Sequence, residues 1–114
     1  MQLLVIVLNR TEKLEALLAS FSDHGIKGAT IIDSTGMARV MGEIGEHRIL
    51  GSLYELLNPE RAKSKTIFAV IEEDKLQSAK DAVKEVLGGF DAPNTGILFT
   101  LPVSYAEGLR KKDE

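Results

Sequence analysis

The chain has 114 residues and a formal net charge of -3, with 44% hydrophobic and 27% charged residues. Those proportions are typical of one soluble domain with a single core, and the acidic balance argues against nucleic acid as a partner. Cysteine is absent from the sequence, which excludes disulfides and thiolate metal sites.

The first predicted element is a strand at residues 3–8, the apolar run LLVIVL, which is typical of a strand buried on both faces. The run has no basic segment before it and no small-residue cleavage site after it, and it is too short to span a bilayer. We therefore expect a cytoplasmic protein without membrane insertion.

A helix is predicted within residues 9–25. Its apolar stripe consists of residues at helical spacing: Leu14, Leu17, Leu18 and Phe21. Asn9 and Glu12 have the spacing of a capping box at the helix start, and Gly25 stands where a C-terminal glycine belongs. Residues 29–33, ATIID, then predict a second strand.

The second half of the chain repeats this order. Residues 66–71, TIFAVI, predict a strand rich in β-branched and aromatic residues. Residues 73–89 predict a helix that Asp74 and Gln77 would cap and that a Gly-Gly pair would end. This repetition indicates two similar strand–helix–strand units.

The last predicted strand is GILFTLPV, residues 96–103. Alternation places three apolar side chains on one of its faces: Ile97, Phe99 and Leu101. Because the strand–helix–strand order occurs twice, the sequence predicts an α+β fold of the ferredoxin-like, split βαβ type (βαββαβ). This fold has an antiparallel four-stranded sheet with two helices on one face. We expect a single domain over residues 1–114.

A long excursion, residues 34–65, separates the second and third predicted strands. Unstructured loops longer than about 12–15 residues are uncommon in compact domains and are usually functional or disordered. The excursion contains several glycines and the segment SLYELLNPE, which predicts a short amphipathic helix ending before Pro59. We expect this excursion to carry much of the function.

Two stretches of the chain resemble motifs of the PII family of signalling proteins. GIKGATIIDSTGMAR, residues 25–39, resembles the family pattern G-I-x-G-x-T-V-x-x-x-x-G-x-G-R, with matches at Gly25, Ile26, Gly28, Thr30, Gly36 and Arg39. LFTLPVSYAEGLR resembles the family's F-V-x-P-V strand end and basic tail, with matches at Phe99, Pro102, Val103 and Arg110. GSLY, with Gly51 and Tyr54, stands in place of a G-A-E-Y-like segment. The resemblance covers the whole chain.

The resemblance implies a homotrimer that holds ATP or ADP in clefts between subunits, with 2-oxoglutarate beside the nucleotide. It implies a set of candidate ligand-binding residues: Gly28, Thr30, Gly36, Arg39, Gly96 and Arg110. Residues 36–62 would correspond to the family's T-loop, which docks onto a target protein. Arg48 and Tyr54 are the candidate contacts to that partner.

Each candidate also has an ordinary structural interpretation. Arg39 follows a strand and a glycine-rich turn, which suits an anion contact, but a solvated or salt-bridged surface arginine explains it equally well. The glycines either bring the backbone close to a ligand or supply the positive φ of a turn. Thr30 is a common kind of residue in a strand.

The sequence departs from the PII pattern at several ligand positions. The loop before the last strand reads NTGI rather than G-D-G-K, so Ile97 replaces a phosphate-binding lysine. Val40 replaces the glutamine after the arginine, and Gly108 replaces the first tail arginine. Each lost charged hydrogen bond removes about 1.5–3 kcal/mol. We therefore expect a divergent PII-like sensor rather than a standard nitrogen sensor.

Other classes fit the sequence less well. The chain has no recognisable nucleophile–base motif, so we expect a protein that is not an enzyme. A CutA-like structural or metal-handling trimer is the second interpretation, with Glu43, Glu46 and His47 as metal ligands and no nucleotide.

The long excursion disfavours an ACT-like amino-acid-binding module. Acidic charge disfavours an RNA-recognition module, for which the central strands offer only Phe68 for base stacking.

Overall fold

The computed structural model describes residues 1–37 and 63–109. Within them the chain forms these strands and α-helices: β1 (Gln2–Leu8), α1 (Leu14–Asp23), β2 (Thr30–Ser34), β3 (Ser64–Ile71), α2 (Leu76–Leu87) and β4 (Gly96–Pro102). The strand order is β2-β3-β1-β4, and every neighbouring pair is antiparallel. The predicted α+β fold with ferredoxin-like strand order is confirmed. Most of the predicted excursion, residues 38–62, lies outside the described residues.

The core lies between the two helices and one face of the sheet. Side chains alternate between the faces of a strand, so every second residue of β1 and β3 contributes to this core: Leu4, Ile6, Leu8, Ile67, Ala69 and Ile71. The helices supply a matching apolar set: Leu17, Phe21, Ala79, Ala82, Val83 and Leu87. Because both helices contribute to this one cluster, they cover the same face of the sheet.

The end of α1 is a Schellman motif, as the position of Gly25 predicts. Gly25 has a φ of +88°. The N–H of Ile26 donates to the carbonyl of Phe21 at 2.8 Å, and the N–H of Gly25 donates to that of Ser22 at 3.1 Å. α2 also ends at a left-handed glycine, Gly88, which has a φ of +76° and whose N–H donates to the carbonyl of Lys84 at 2.8 Å, the simpler αL motif. The two glycine terminators are confirmed.

The predicted capping boxes are wrong. α1 and α2 each follow a 3-10 turn and have Lys13 and Lys75 as N-caps, with no side-chain capping hydrogen bond at either. A capping box needs the backbone N–H of its first residue, and that of Asn9 donates instead to the carbonyl of Thr95 at 3.1 Å. Asp74 lies inside its 3-10 turn rather than before it. Long-range backbone pairing and the 3-10 turns therefore set where the helices start.

The backbone of β1 lies very close to β4 at Gly96. Its φ is +139°, and a Cβ placed there would lie 2.2 Å from the carbonyl oxygen of Val7. That distance is far inside van der Waals contact, so no side chain fits without a shift of the backbone. The fold itself therefore requires this glycine.

We predict that Gly96→Ala lowers the free energy of unfolding by at least about 2 kcal/mol, because the methyl group both clashes and strains φ. Gly28→Ala is the matched control, since a Cβ at Gly28 meets nothing within 4 Å. The control should change stability by no more than about 0.5 kcal/mol. Urea denaturation of both variants measures the difference, and equal stabilities would contradict the assigned role.

Candidate functional site

The face of the sheet opposite the helices is mostly apolar, and none of the described elements covers it. We call it the open face, and it comprises Leu3, Val5, Val7, Thr30, Ile32, Thr66, Phe68, Val70, Ile97, Phe99 and Leu101. The register aligns these side chains in rows across the strands, with Val5 opposite both Phe99 and Phe68. Ile97, Phe99 and Leu101 are 56%, 42% and 49% exposed.

The open face explains the continuous apolar run of β1. On the helix side of β1, Leu4, Ile6 and Leu8 are buried, whereas on the other side Val5 is buried and Leu3 and Val7 are half-buried. The prediction that the run is buried on both faces therefore holds fully for the helix side and, on the other side, for Val5 alone. Large exposed apolar patches on globular proteins mark interaction surfaces. The open face is the strongest candidate for such a surface among the described residues.

A cleft of about 460 Å³ opens at the end of the sheet where β1 ends and β4 begins. Its described lining is Val7, Asn9, Gly36, Phe90, Asp91, Ala92, Pro93, Asn94, Thr95, Gly96 and Ile97. Volumes of about 300–1,000 Å³ are usual for small-molecule sites. Val7 and Ile97 belong both to the cleft and to the open face, so the two features are continuous.

The loop between α2 and β4 forms one wall of the cleft and is held by internal hydrogen bonds. Thr95 is only 1% exposed, and its hydroxyl donates to the carbonyl of Ala92 at 2.9 Å. The carbonyl of Thr95 in turn accepts from the N–H of Asn9. Asn94 has a left-handed backbone with a φ of +61°, which asparagine tolerates better than most residues. These contacts give the wall a defined shape.

The described lining of the cleft carries little charge. Asp91 is its one charged residue, and Ile97 stands where the PII resemblance expects a lysine. The lining also includes two asparagines, Asn9 and Asn94, and one aromatic residue, Phe90, which also packs against the core. Hydrogen-bonding and apolar groups therefore dominate the described wall.

Polar contacts fix β2 to β3 beside the cleft. The hydroxyl of Ser34 lies 2.7 Å from those of Ser64 and Thr66. Lys65 donates to the carboxylate of Asp33 across the same strand pair, and this hydrogen bond holds the pKa of Asp33 below its usual value. These contacts hold the end of β2 to the start of β3. They therefore fix the two points of the sheet between which the excursion lies.

The structure separates the candidate ligand residues that it describes. Gly36 and Gly96 both line the cleft. Gly28 lies in the connection from α1 to β2, and Thr30 lies opposite Phe68 at the start of β2. The remaining candidates lie outside the described residues: Arg39, Arg48, Tyr54 and Arg110.

Sequence reasoning missed several residues of the cleft wall: Asn9, Phe90, Asp91, Asn94 and Thr95. The stretch DAPNTG, residues 91–96, is dense in turn-forming residues between a helix and a strand, and that signal pointed to a shaped loop. Nothing in the local sequence marks Thr95 as buried. Its burial arises from long-range contact with the end of β1.

Within residues 1–37 and 63–109, no group of three or more metal-ligating side chains is placed to hold a metal ion. No helix in that part of the chain is long and apolar enough to cross a membrane. The metal-ligand candidates Glu43, Glu46 and His47 lie outside it.

No known protein-family model matches the chain, and no curated protein is significantly similar to it. The PII resemblance therefore remains an interpretation of short motifs.

We predict that Thr95→Val lowers the free energy of unfolding by about 1–2 kcal/mol, because it leaves the Ala92 carbonyl without its donor at nearly constant side-chain volume. Thr30→Val is the control, since Thr30 is exposed at the start of an edge strand. Thermal and urea unfolding measure both variants. A Thr95→Val protein as stable as the control would show that the hydroxyl does not hold the wall.

Proposed function

We propose that this chain is a PII-like regulatory protein. It self-associates as a homotrimer and binds a small anionic effector between subunits, with ATP or ADP as the first candidate. It signals through residues 36–62 to a partner protein. The observation that carries the proposal is the continuity of the open face with the cleft through Val7 and Ile97.

Self-association is the part of the proposal that has the most direct physical support. The open face presents rows of apolar side chains and no charged residue. Burying such a surface stabilises an assembly by roughly 25 cal/mol for each Å² of apolar area removed from water. A second copy of the chain carries the same kind of surface, so closed symmetric association covers it in every subunit.

The location of the cleft supports effector binding between subunits. Because Val7 and Ile97 lie on both features, a neighbouring subunit packed on the open face would form a further wall of the cleft. A ligand held there would contact two subunits at once, and its binding would be linked to assembly.

The same cleft lies beside the start of the long excursion. Gly36 is one of its lining residues, and one residue separates it from the end of β2. A ligand that binds one conformation of the chain near Gly36 more tightly than another increases the population of that conformation. Residues 36–62 would then report the ligand to a partner.

A second candidate function is a CutA-like structural or metal-handling trimer without nucleotide. The observation in its favour is the absence of any cationic side chain among the described residues of the cleft. Polyphosphates are normally held by charged donors. The two candidates share the open face as an interface and differ in what the cleft binds.

We predict that the protein sediments as a trimer at micromolar concentration and that Phe99→Lys shifts it to monomers. The substitution places a charge at the centre of an apolar row, which an interface would have to desolvate. Gln77→Lys on the exposed side of α2 is the control and should remain trimeric. Sedimentation velocity measures all three proteins. A monomeric wild type, or a trimeric Phe99→Lys variant, would contradict the assignment of the interface.

We predict micromolar binding of ATP or ADP in calorimetric titrations performed with and without magnesium and 2-oxoglutarate. Arg39→Ala should weaken this binding by at least about tenfold, the usual effect of losing one charged hydrogen bond. Limited proteolysis of the same samples tests signalling, because a bound effector should change the cleavage of residues 36–62. Trimers that show no heat with any nucleotide would favour the structural alternative.

A further inference from the structure

The sheet has two open edges as well as its open face. β2 and β4 are the outer strands of the order β2-β3-β1-β4, so in the described chain each pairs along one side only. Such an edge presents a row of backbone N–H and C=O groups with which a strand of another chain can pair.

The outer edge of β4 lacks the features that usually prevent such pairing. Residues 96–101 contain no charged residue and no proline, and β4 pairs with β1 without a bulge along its whole length. The N–H of Val103 donates to the carbonyl of Met1 at 3.0 Å, which places it on the inner side of the strand. Because this direction alternates along a strand, Leu98 and Thr100 direct their N–H groups outward.

β2 is exposed on both of its faces. Ile31 lies opposite Ile67 on the helix side and is 38% exposed, and Ile32 lies opposite Thr66 on the open face and is 48% exposed. A strand with one paired edge and little burial on either face is of low local stability. A further strand at its outer edge would pair its backbone groups and shield both isoleucines.

The strand directions suit pairing between β4 of one copy and β2 of the next. Three antiparallel pairings separate β2 from β4 in the sheet, so the two strands run in opposite directions. Copies related by rotation about an axis along the strands therefore bring β4 beside β2 in antiparallel orientation. A contact between two β4 strands would leave every β2 edge unpaired.

The width of the sheet indicates how many copies close such a ring. Four strands spaced about 4.8 Å apart make each sheet about 19 Å wide. Three such sheets joined at their edges form a triangle whose sides lie about 5.5 Å from its centre, close to half of the roughly 10 Å between packed sheets. Four sheets would lie about 9.5 Å from the centre and leave a hollow. Three copies therefore pair every edge and also cover every open face.

We infer that β4 of each copy pairs with the outer edge of β2 in a neighbouring copy, so that three sheets join into one closed ring with their open faces inward. The inference rests on the proposed function, because it specifies the contact that holds the proposed homotrimer together. Since β2 precedes residues 36–62, the pairing connects the base of each excursion to the sheet of a neighbour.

Hydrogen exchange at single-residue resolution tests whether the edge is paired. The outward amides of Leu98 and Thr100 should exchange at least about a hundredfold more slowly in the wild-type trimer than in the monomers that Phe99→Lys is expected to give. The amide of Leu101 is the internal control and should change far less, because it faces β1 in both states.

Crosslinking identifies the partner strand. The chain has no cysteine, so introduced cysteines react without background. Ile31→Cys and Thr100→Cys place thiols on the helix side of β2 and of β4, strands that lie about 14 Å apart within one copy. A thiol reagent shorter than that distance should link the double variant into covalent trimers and leave each single variant as single chains.

Three outcomes would overturn the inference. A wild-type trimer whose Leu98 and Thr100 amides exchange as fast as in the monomer would show unpaired edges and retain the proposed homotrimer. Covalent dimers of Thr100→Cys alone would show that β4 pairs with β4. A wild type that sediments as a monomer at micromolar concentration would make both the inference and the proposed homotrimer wrong.

Discussion

The constraint on which the structure depends is that β1 is apolar on both faces, whereas the described helices cover only one. Leu4, Ile6 and Leu8 face the helices and are buried. The alternate residues Leu3, Val5 and Val7 lie on the open face, where Val5 is opposite both Phe68 and Phe99. Central strands of this kind are found in sheets with both faces packed. The pattern of the central strand therefore supports the proposal that a second subunit covers the open face, independently of any family resemblance.

The cleft is a consequence of the same strands. β4 lies against β1 so closely that Gly96 alone fits beside the Val7 carbonyl, and this contact positions the loop that precedes it. Thr95 is buried beside the end of β1, where its carbonyl accepts a hydrogen bond from the N–H of Asn9. Hydrogen bonds therefore connect the cleft wall to the end of β1. The open face and the cleft lie side by side because both are built on the pairing of β1 with β4.

Periodicity predicted the strands, the helices and their common face, and the left-handed glycines Gly25 and Gly88 were placed correctly because their signal is local. The capping boxes failed for a long-range reason, since the N–H of Asn9 pairs with residue 95. Gly96 allowed two interpretations in the sequence, and only the distance to Val7 separates them. Of the candidate site, the glycines were predictable from motifs. The buried threonine and the ring of Phe90 depend on three-dimensional contacts that no local pattern reveals.

The geometry of β2 adds a condition to the nucleotide proposal. Gly28 and Thr30 precede or begin this strand, whereas Gly36 follows it and lines the cleft. A strand rises about 3.3 Å per residue, so the two groups lie well over 10 Å apart along one chain. A small effector in the cleft of a single subunit does not contact both groups. Their assignment to one ligand site requires residues from two copies of the chain. In the proposed function, nucleotide binding with the full set of candidates would therefore depend on self-association.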